Sequence, residues 1–316
     1  MRVGENTTMN TVRESLNRSR LRMNDLQKQN ATMKRINAPS DDPVGNVKLM
    51  AIRNETQDNT QFEKNANLAK AFLNYTDSSL EEVTNLLGRA RELALGQASA
   101  AASGAESRAM VSQEVKNIQS QLIAIANRRL GDRYIFSGYK TNTQPFDTDG
   151  HGNYQGDDGN IMVEVQKDVF IGMNIPGREL FIGNLPPPAP KASPEGSKQT
   201  GPERGPAAAT MPGLDPRESI FHTIEALRVG LMTNDVDQIR ATLEPLDKLS
   251  TRVITTRSQI GARSAGIESA IANMGKKNVF NAELQSGIED ADVIQVVSDM
   301  AKEETDRKST RLNSSH

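Results

Sequence analysis

Apolar residues recur at alternating spacings of three and four from the start of the chain: Met9, Val12, Leu16, Met23, Leu26 and Met33, with polar Ser19 and Asn30 in the two remaining seam positions. This spacing predicts a coiled-coil helix over residues 1–40, its stripe available for helix or subunit packing. The polar interruptions weaken a lone dimer, although one buried Asn can fix register among several helices. The methionines suit a seam that adapts to neighbouring subunits. Ser40, Asp41, Asp42 and Pro43 then stop and restart the helix, because Asp42 suits the N-cap and Pro43 the first helical position. A joint and cap are therefore expected near residue 40.

The rhythm resumes at Ile52, Phe62, Ala66, Ala69, Leu73, Leu80, Val83, Leu87, Ala90 and Ala94, running through polar Glu55, Asn59 and Thr76. A helix from about 43 to about 98 would be roughly 80 Å long. Small residues from Ser99 to Gly104 predict a turn, and Val111, Val115, Ile118, Leu122 and Ile125 predict a returning helix, closing a helical rod part over 41–131. The period then shortens. Tyr134 to Phe136, Ile161 to Val165 and Val169 to Ile171 read as strands, with Asp147 to Gly159 turn-rich between them, giving a small β-rich domain over 132–184. Residues 185–214 are dominated by Pro, Gly, Ala and Ser and read as a flexible linker or insertion. Asp215 and Pro216 open a helix carrying Ile220, Ile224, Leu227 and Leu231, and Asp235 caps the next. The seam Val236, Ile239, Leu243, Leu246, Val253, Ile260, Ile267, Ala270 and Met274 completes the rod part over 215–285, with a kink expected at Pro245.

Composition narrows the class. With 36% hydrophobic and 4% aromatic residues and no Trp, one large globular core would be hard to fill. The mean hydropathy of -0.57 fits helices that each bury one stripe. A net charge of -2 leaves no basic excess for nucleic acid or an anionic membrane, and no run is apolar enough for a signal peptide or a membrane span. Zero cysteines exclude disulfides and thiol chemistry. Asp147 to Gly152 partly matches a calcium loop, but His151 stands where an oxygen ligand is preferred and Asp158 replaces the final Glu, so a β-turn is expected. His151, His222 and His316 are too scattered for a zinc site or a triad. No catalytic, cofactor or metal site is expected.

Several motifs together resemble the flagellin-like family. Arg35 to Pro43 resembles the signature at that family's first joint, and Arg89 to Ala94 its next helix segment. Ile125 to Asn127, Tyr134 to Gly138, Lys140 to Phe146, Tyr154 to Gly159 and Asn174 to Phe181 are similar to the family's hook-filament junction members, and Arg257 to Glu268 to its returning C-terminal helix. The resemblance implies a mainly α protein, long heptad-patterned helices from both chain ends packed as a rod around a small β-rich middle. It implies export to the extracellular flagellum without a cleaved signal peptide, and an adaptor role between another hook-associated protein and flagellin. Copies of itself in a ring or helical layer and an export chaperone are the other implied partners. A filament flagellin and a cytosolic coiled-coil signalling protein are the alternative readings.

The chain departs from the family at its end. Residues 286–305 read as the start of a truncated C-terminal coiled-coil helix. Residues 306–316 read as the translation of a common short-read sequencing adapter, so the native C-terminal stretch is expected to be lost. Without that stretch, the N-terminal stripe is expected to lack its partner.

Overall fold

The computed structural model describes residues 2–98, 104–147, 152–183 and 219–313, and the side chains of 2–9, Val12 and 310–313 lie outside the described set. The chain is mainly helical: α1 (Arg2–Thr32), α2 (Pro43–Gln97), α3 (Ala105–Ala126), α4 (Ile220–Met232), α5 (Val236–Ala241), α6 (Leu243–Glu289) and α7 (Val293–Asn313). Two antiparallel pairs supply the strands, β1 (Arg129–Leu130) with β2 (Arg133–Tyr134) and β3 (Met162–Gln166) with β4 (Val169–Gly172). The expected turn at 99–103, the linker over 185–214, and Asp215 and Pro216 fall outside the described residues.

The described chain divides into two compact units, residues 1–62 with 272–316, and residues 63–271. Helices α2 and α6 contribute to both.

In the larger unit the α2 seam is buried from Ala66 to Ala94. The α6 seam is buried as well, with Leu246, Val253, Ile260 and Ile267 all within 1% of complete burial. Thr76 breaks the apolar run, and its hydroxyl donates to the Phe72 carbonyl at 2.8 Å, so the buried polar atom stays inside its own helix. Ion pairs flank the seam. Arg257 makes a forked pair with Asp77 at 3.0 and 3.2 Å, and Lys70 reaches Glu268 at 2.7 Å. The α3 face carrying Val115, Ile118 and Leu122 packs against α4, whose Ile220, Ile224, Leu227 and Leu231 are buried.

Strand content is smaller than the hydrophobic runs suggest. Only Tyr134 of the Tyr134 to Phe136 run is in a strand, and Ile135 and Phe136 turn inward. The reason is aromatic. Phe136, Phe146, Tyr154, Phe181 and Phe221 form one cluster with ring centroids 5.1 to 5.6 Å apart, and Phe181 stacks on Phe221. Burial of those rings outweighs a third ladder. Asn127 clamps the cluster by bonding the Phe146 backbone both ways at 2.9 Å. The Tyr154 hydroxyl lies 2.9 and 2.7 Å from the Phe136 and Asp157 carbonyls, which share its one proton. Burial, reinforced by the Asp158 and Asp157 carboxylates, pushes its phenol well up.

The expected kink at Pro245 lies elsewhere. The helix breaks at Thr242, which separates α5 from α6 and donates its hydroxyl to the Ile239 carbonyl at 2.7 Å. Pro245 then sits in the first turn of α6, where its missing N-H removes no intrahelical bond. Asp235 accepts from the Asp237 and Gln238 amides at 3.1 and 3.0 Å, capping α5.

Candidate functional site

The smaller unit gathers the residues that the seam and joint motifs single out. In α1, Met23 is buried, Leu16 and Leu26 are half-buried, and Met9 and Val12 lie outside the described side chains. For Leu16, Met23 and Leu26, the expectation that the stripe lacks a partner is overturned. Helix α7 runs alongside α1, Val296 is buried, and Glu303 accepts from the Ser19 hydroxyl at 3.0 Å and from Arg22 at 3.1 Å. Met33 leaves the seam because α1 stops at Thr32. Its φ of 55° turns the chain left-handed, and its side chain stays 62% exposed.

The joint follows. Asp41 accepts from the Asn37 and Ala38 amides at 3.0 and 2.8 Å, closing a turn, and Asp42 accepts from the Gly45 amide at 2.8 Å, capping α2 with Pro43 as its first residue. These bonds to the charged form hold Asp41 and Asp42 below the usual carboxylate range. Ser40 stays exposed, its hydroxyl donating to the Asp41 carboxylate at 3.5 Å. Against this loop lies the turn between α6 and α7. The Arg35 amide donates to the Glu289 carbonyl at 2.7 Å, the Ala291 amide to the Met33 carbonyl at 3.0 Å, and Asp292 caps α7 through the Ile294 and Gln295 amides.

Glu289, which the motifs did not single out, is the most constrained charge here. Its side chain is 4% exposed and lies 2.6 Å from Lys34 Nζ and 2.9 Å from Arg53 Nη2, with Gln285 Nε2 donating at 2.8 Å. Burial alone would raise its carboxyl, but the hydrogen bonds from Lys34, Gln285 and Arg53 outweigh burial and pull it down to about 2. A signal existed in the sequence: an acidic residue closing a helix opposes the macrodipole unless a cation meets it.

Because the folded value lies below the ordinary 4.5, this carboxylate stabilises the joint fully above about pH 5 and progressively less as pH falls toward 2. Glu289→Gln should therefore lower stability by about 2 kcal/mol at pH 7, with the deficit much reduced near pH 2.5 and closed only below pH 2. Paired denaturant titrations at the two pH values check this. An equal deficit at both would mean the charge is not the cause.

The smaller unit also shows an inverted surface. Among the described residues it buries five large or apolar side chains, Met23, Ile36, Leu49, Met274 and Val296. It exposes eleven: Leu21, Met33, Val44, Val47 and Met50, Val279, Phe280 and Leu284 on α6, and Val293, Ile294 and Val297 on α7. The larger unit buries far more than it exposes.

Other candidate chemistry does not converge. His222 is exposed on α4, and 148–151, with His151, lie outside the described residues, as does His316. Asp147 accepts from Gln155 at 2.7 Å and Asp158 pairs with Arg178 at 3.1 Å, so both ends of the suspected calcium loop have protein partners. Among the described residues, no group of three or more His, Cys, Asp or Glu could hold a metal ion, and no helix is long and apolar enough to cross a membrane.

The model of the bacterial flagellin N-terminal helical region matches residues 3–141. Over those residues the chain is similar to flagellin. Flagellar hook-associated protein 3 of Salmonella typhimurium is 25% identical to it over 285 residues, covering 86% of this chain and 83% of that relative. The protein of the same description from Escherichia coli is 24% identical over 289 residues, with 88% and 84% covered. Among solved structures, the flagellar junction protein FlgL of Legionella pneumophila superposes with a TM-score of 0.57 at 19% identity, covering 77% of this chain and all of that one. The chain thus shares its fold with a junction protein, and its sequence likeness to hook-associated protein 3 extends beyond the N-terminal helices.

Proposed function

We propose that this chain is a structural subunit of the bacterial flagellum, the adaptor joining another hook-associated protein to the flagellin filament at the hook-filament junction. The observation that carries this reading is the inverted surface of the smaller unit. A unit with five buried and eleven exposed large or apolar side chains completes its core only against other chains. Helical stripes such as Val279, Phe280 and Leu284, and Ile294 and Val297, are shaped to receive other helices. Heterologous contacts of that kind build rings or open helices, which supports copies of itself as partners beside flagellin and the second hook-associated protein. Leu16, Met23 and Leu26 hold α1 to α7 in this reading, with Met9 and Val12 continuing the stripe, while Met33 is left for a neighbour. Ser40, Asp41, Asp42 and Pro43 set the turn into α2. Export through the flagellar route without a cleaved signal peptide, with a chaperone covering the exposed stripes, belongs to the same proposal. Likeness to structural relatives supports a non-enzymatic role.

Deleting the gene and examining cells by electron microscopy, with flagellin assayed in the medium, tests the proposal. Bare hooks with flagellin shed as monomer are expected. Intact filaments would remove the junction role and favour a redundant flagellin.

A further inference from the structure

Four helix ends meet where Met33 to Asp42 faces Ile288 to Asp292: α1 ends, α2 begins, α6 ends and α7 begins. Little else holds them. Among the described residues, the backbones of the two segments are joined by two hydrogen bonds, which together form the antiparallel bridge of Lys34 with Asp290, and so short a pairing is marginal in water. Apolar packing is thin as well. Ile36 and Leu49 are buried, whereas Met33, Val44, Val47, Val293 and Ile294 around them are exposed. In that setting one carboxylate gathers three donors from three places: Lys34 after α1, Arg53 on α2 and Gln285 on α6. Arg35 adds a parallel tie, donating to the Ile288 carbonyl at 2.9 Å while reaching Asp42 at 3.4 Å. A buried acceptor bonded from several segments resists the loss of any one of them, because the remaining charge would stand uncompensated.

We propose that Glu289 is a latch: with Lys34 and Arg53 it fixes the direction in which the α1 and α7 pair leaves the joint, and its release lets that pair swing while both helices stay formed. The pair has its own ties, the buried Met23 and Val296 and the Ser19 and Arg22 bonds to Glu303, none of which involves the latch. Opening the latch therefore separates orientation from folding. Glu289 acts as a positioning residue, and the proposal does not rest on the assembly reading.

The absence of cysteine allows a direct test on the full chain. Leu21→Cys on α1 and Met50→Cys on α2, both exposed in the native chain, carry a spin-label pair whose distance distribution is read by pulsed electron resonance. The otherwise unaltered chain should give one narrow distribution. Glu289→Ala, and separately the double change Lys34→Met with Arg53→Met, should broaden it with circular dichroism at 222 nm unchanged. Cleavage by trypsin after Arg35, a site that both variants keep, should rise roughly tenfold in each as the joint opens. A distribution as narrow as in the unaltered chain would overturn the latch. Broadening that comes with lost helix signal in both variants would also overturn it, making Glu289 a plain folding determinant. Glu289→Asp, which keeps the charge on a shorter arm, should recover part of the narrowing.

Discussion

Phe146→Ala is expected to destabilise the chain by about 3–5 kcal/mol, the range for emptying a fully packed aromatic site. Phe146 is completely buried and touches three rings, Tyr154, Phe181 and Phe221, at 5.1 to 5.2 Å between centroids. Pairs of this kind add about 0.5–1.5 kcal/mol beyond area burial. The cavity would not close readily, because Asn127 pins the backbone on both sides of the missing ring and Gly177 lies with an ideal Cβ position only 3.0 Å from Phe146 Cε2. Urea titration should show the midpoint falling with little change in slope. Phe146→Leu, which retains most of the volume, should cost about a third as much. A loss under about 1 kcal/mol for the alanine would show that the cluster packs more loosely than its ring geometry indicates.

Gly138→Ala is the second large effect, expected at about 2–4 kcal/mol, and it arises from backbone rather than lost packing. Gly138 has φ of +71°, and a Cβ there would lie 2.2 Å from the Asp157 carbonyl oxygen and 2.1 Å from its Oδ1. Asp157 has no room to yield. Its side chain accepts from the Tyr139 and Gly159 amides at 2.6 and 3.0 Å, its amide donates to Ser137, and its carbonyl accepts from the Tyr154 hydroxyl. Gly88 provides the control, since it lies inside α2 and, its own helix backbone aside, no neighbouring atom comes within 4 Å of an added Cβ. Gly88→Ala should therefore stabilise by about 0.5–1 kcal/mol. Thermal denaturation of both variants decides the matter. Equal shifts in the same direction would sink the steric account.

The two glycines mark how far reading along the chain reaches. Gly138 lies in the Tyr134 to Gly138 motif, legible as a family resemblance, but nothing local says that the carbonyl of Asp157 presses on it. Asn127 is similar: it appears in a motif, and only the folded chain shows it gripping Phe146 from 19 residues away. The aromatic cluster carries no periodic signal, because its members are spread from 136 to 221, and its runs imitate strands. The partner for α1 escapes a linear reading for a related reason. Val296 and Glu303 follow a weak, polar pattern, and their value appears only when α1 lies beside them.

What the sequence by itself determined is what depends on near neighbours: the helix starts at Pro43 and Val236, the caps at Asp42 and Asp235, and the α2 and α6 seams with their polar breaks. Helical period, capping and proline geometry act within a few residues, so they are written directly in the order of side chains. Only the tertiary structure decided which distant groups meet. The five-ring cluster, the α1 and α7 pair, and the Glu289 carboxylate held by Lys34 and Arg53 each join segments that are far apart in sequence, the last across 236 residues. Such pairings are chosen by burial and charge compensation over the whole fold, a balance that no local window of the chain contains.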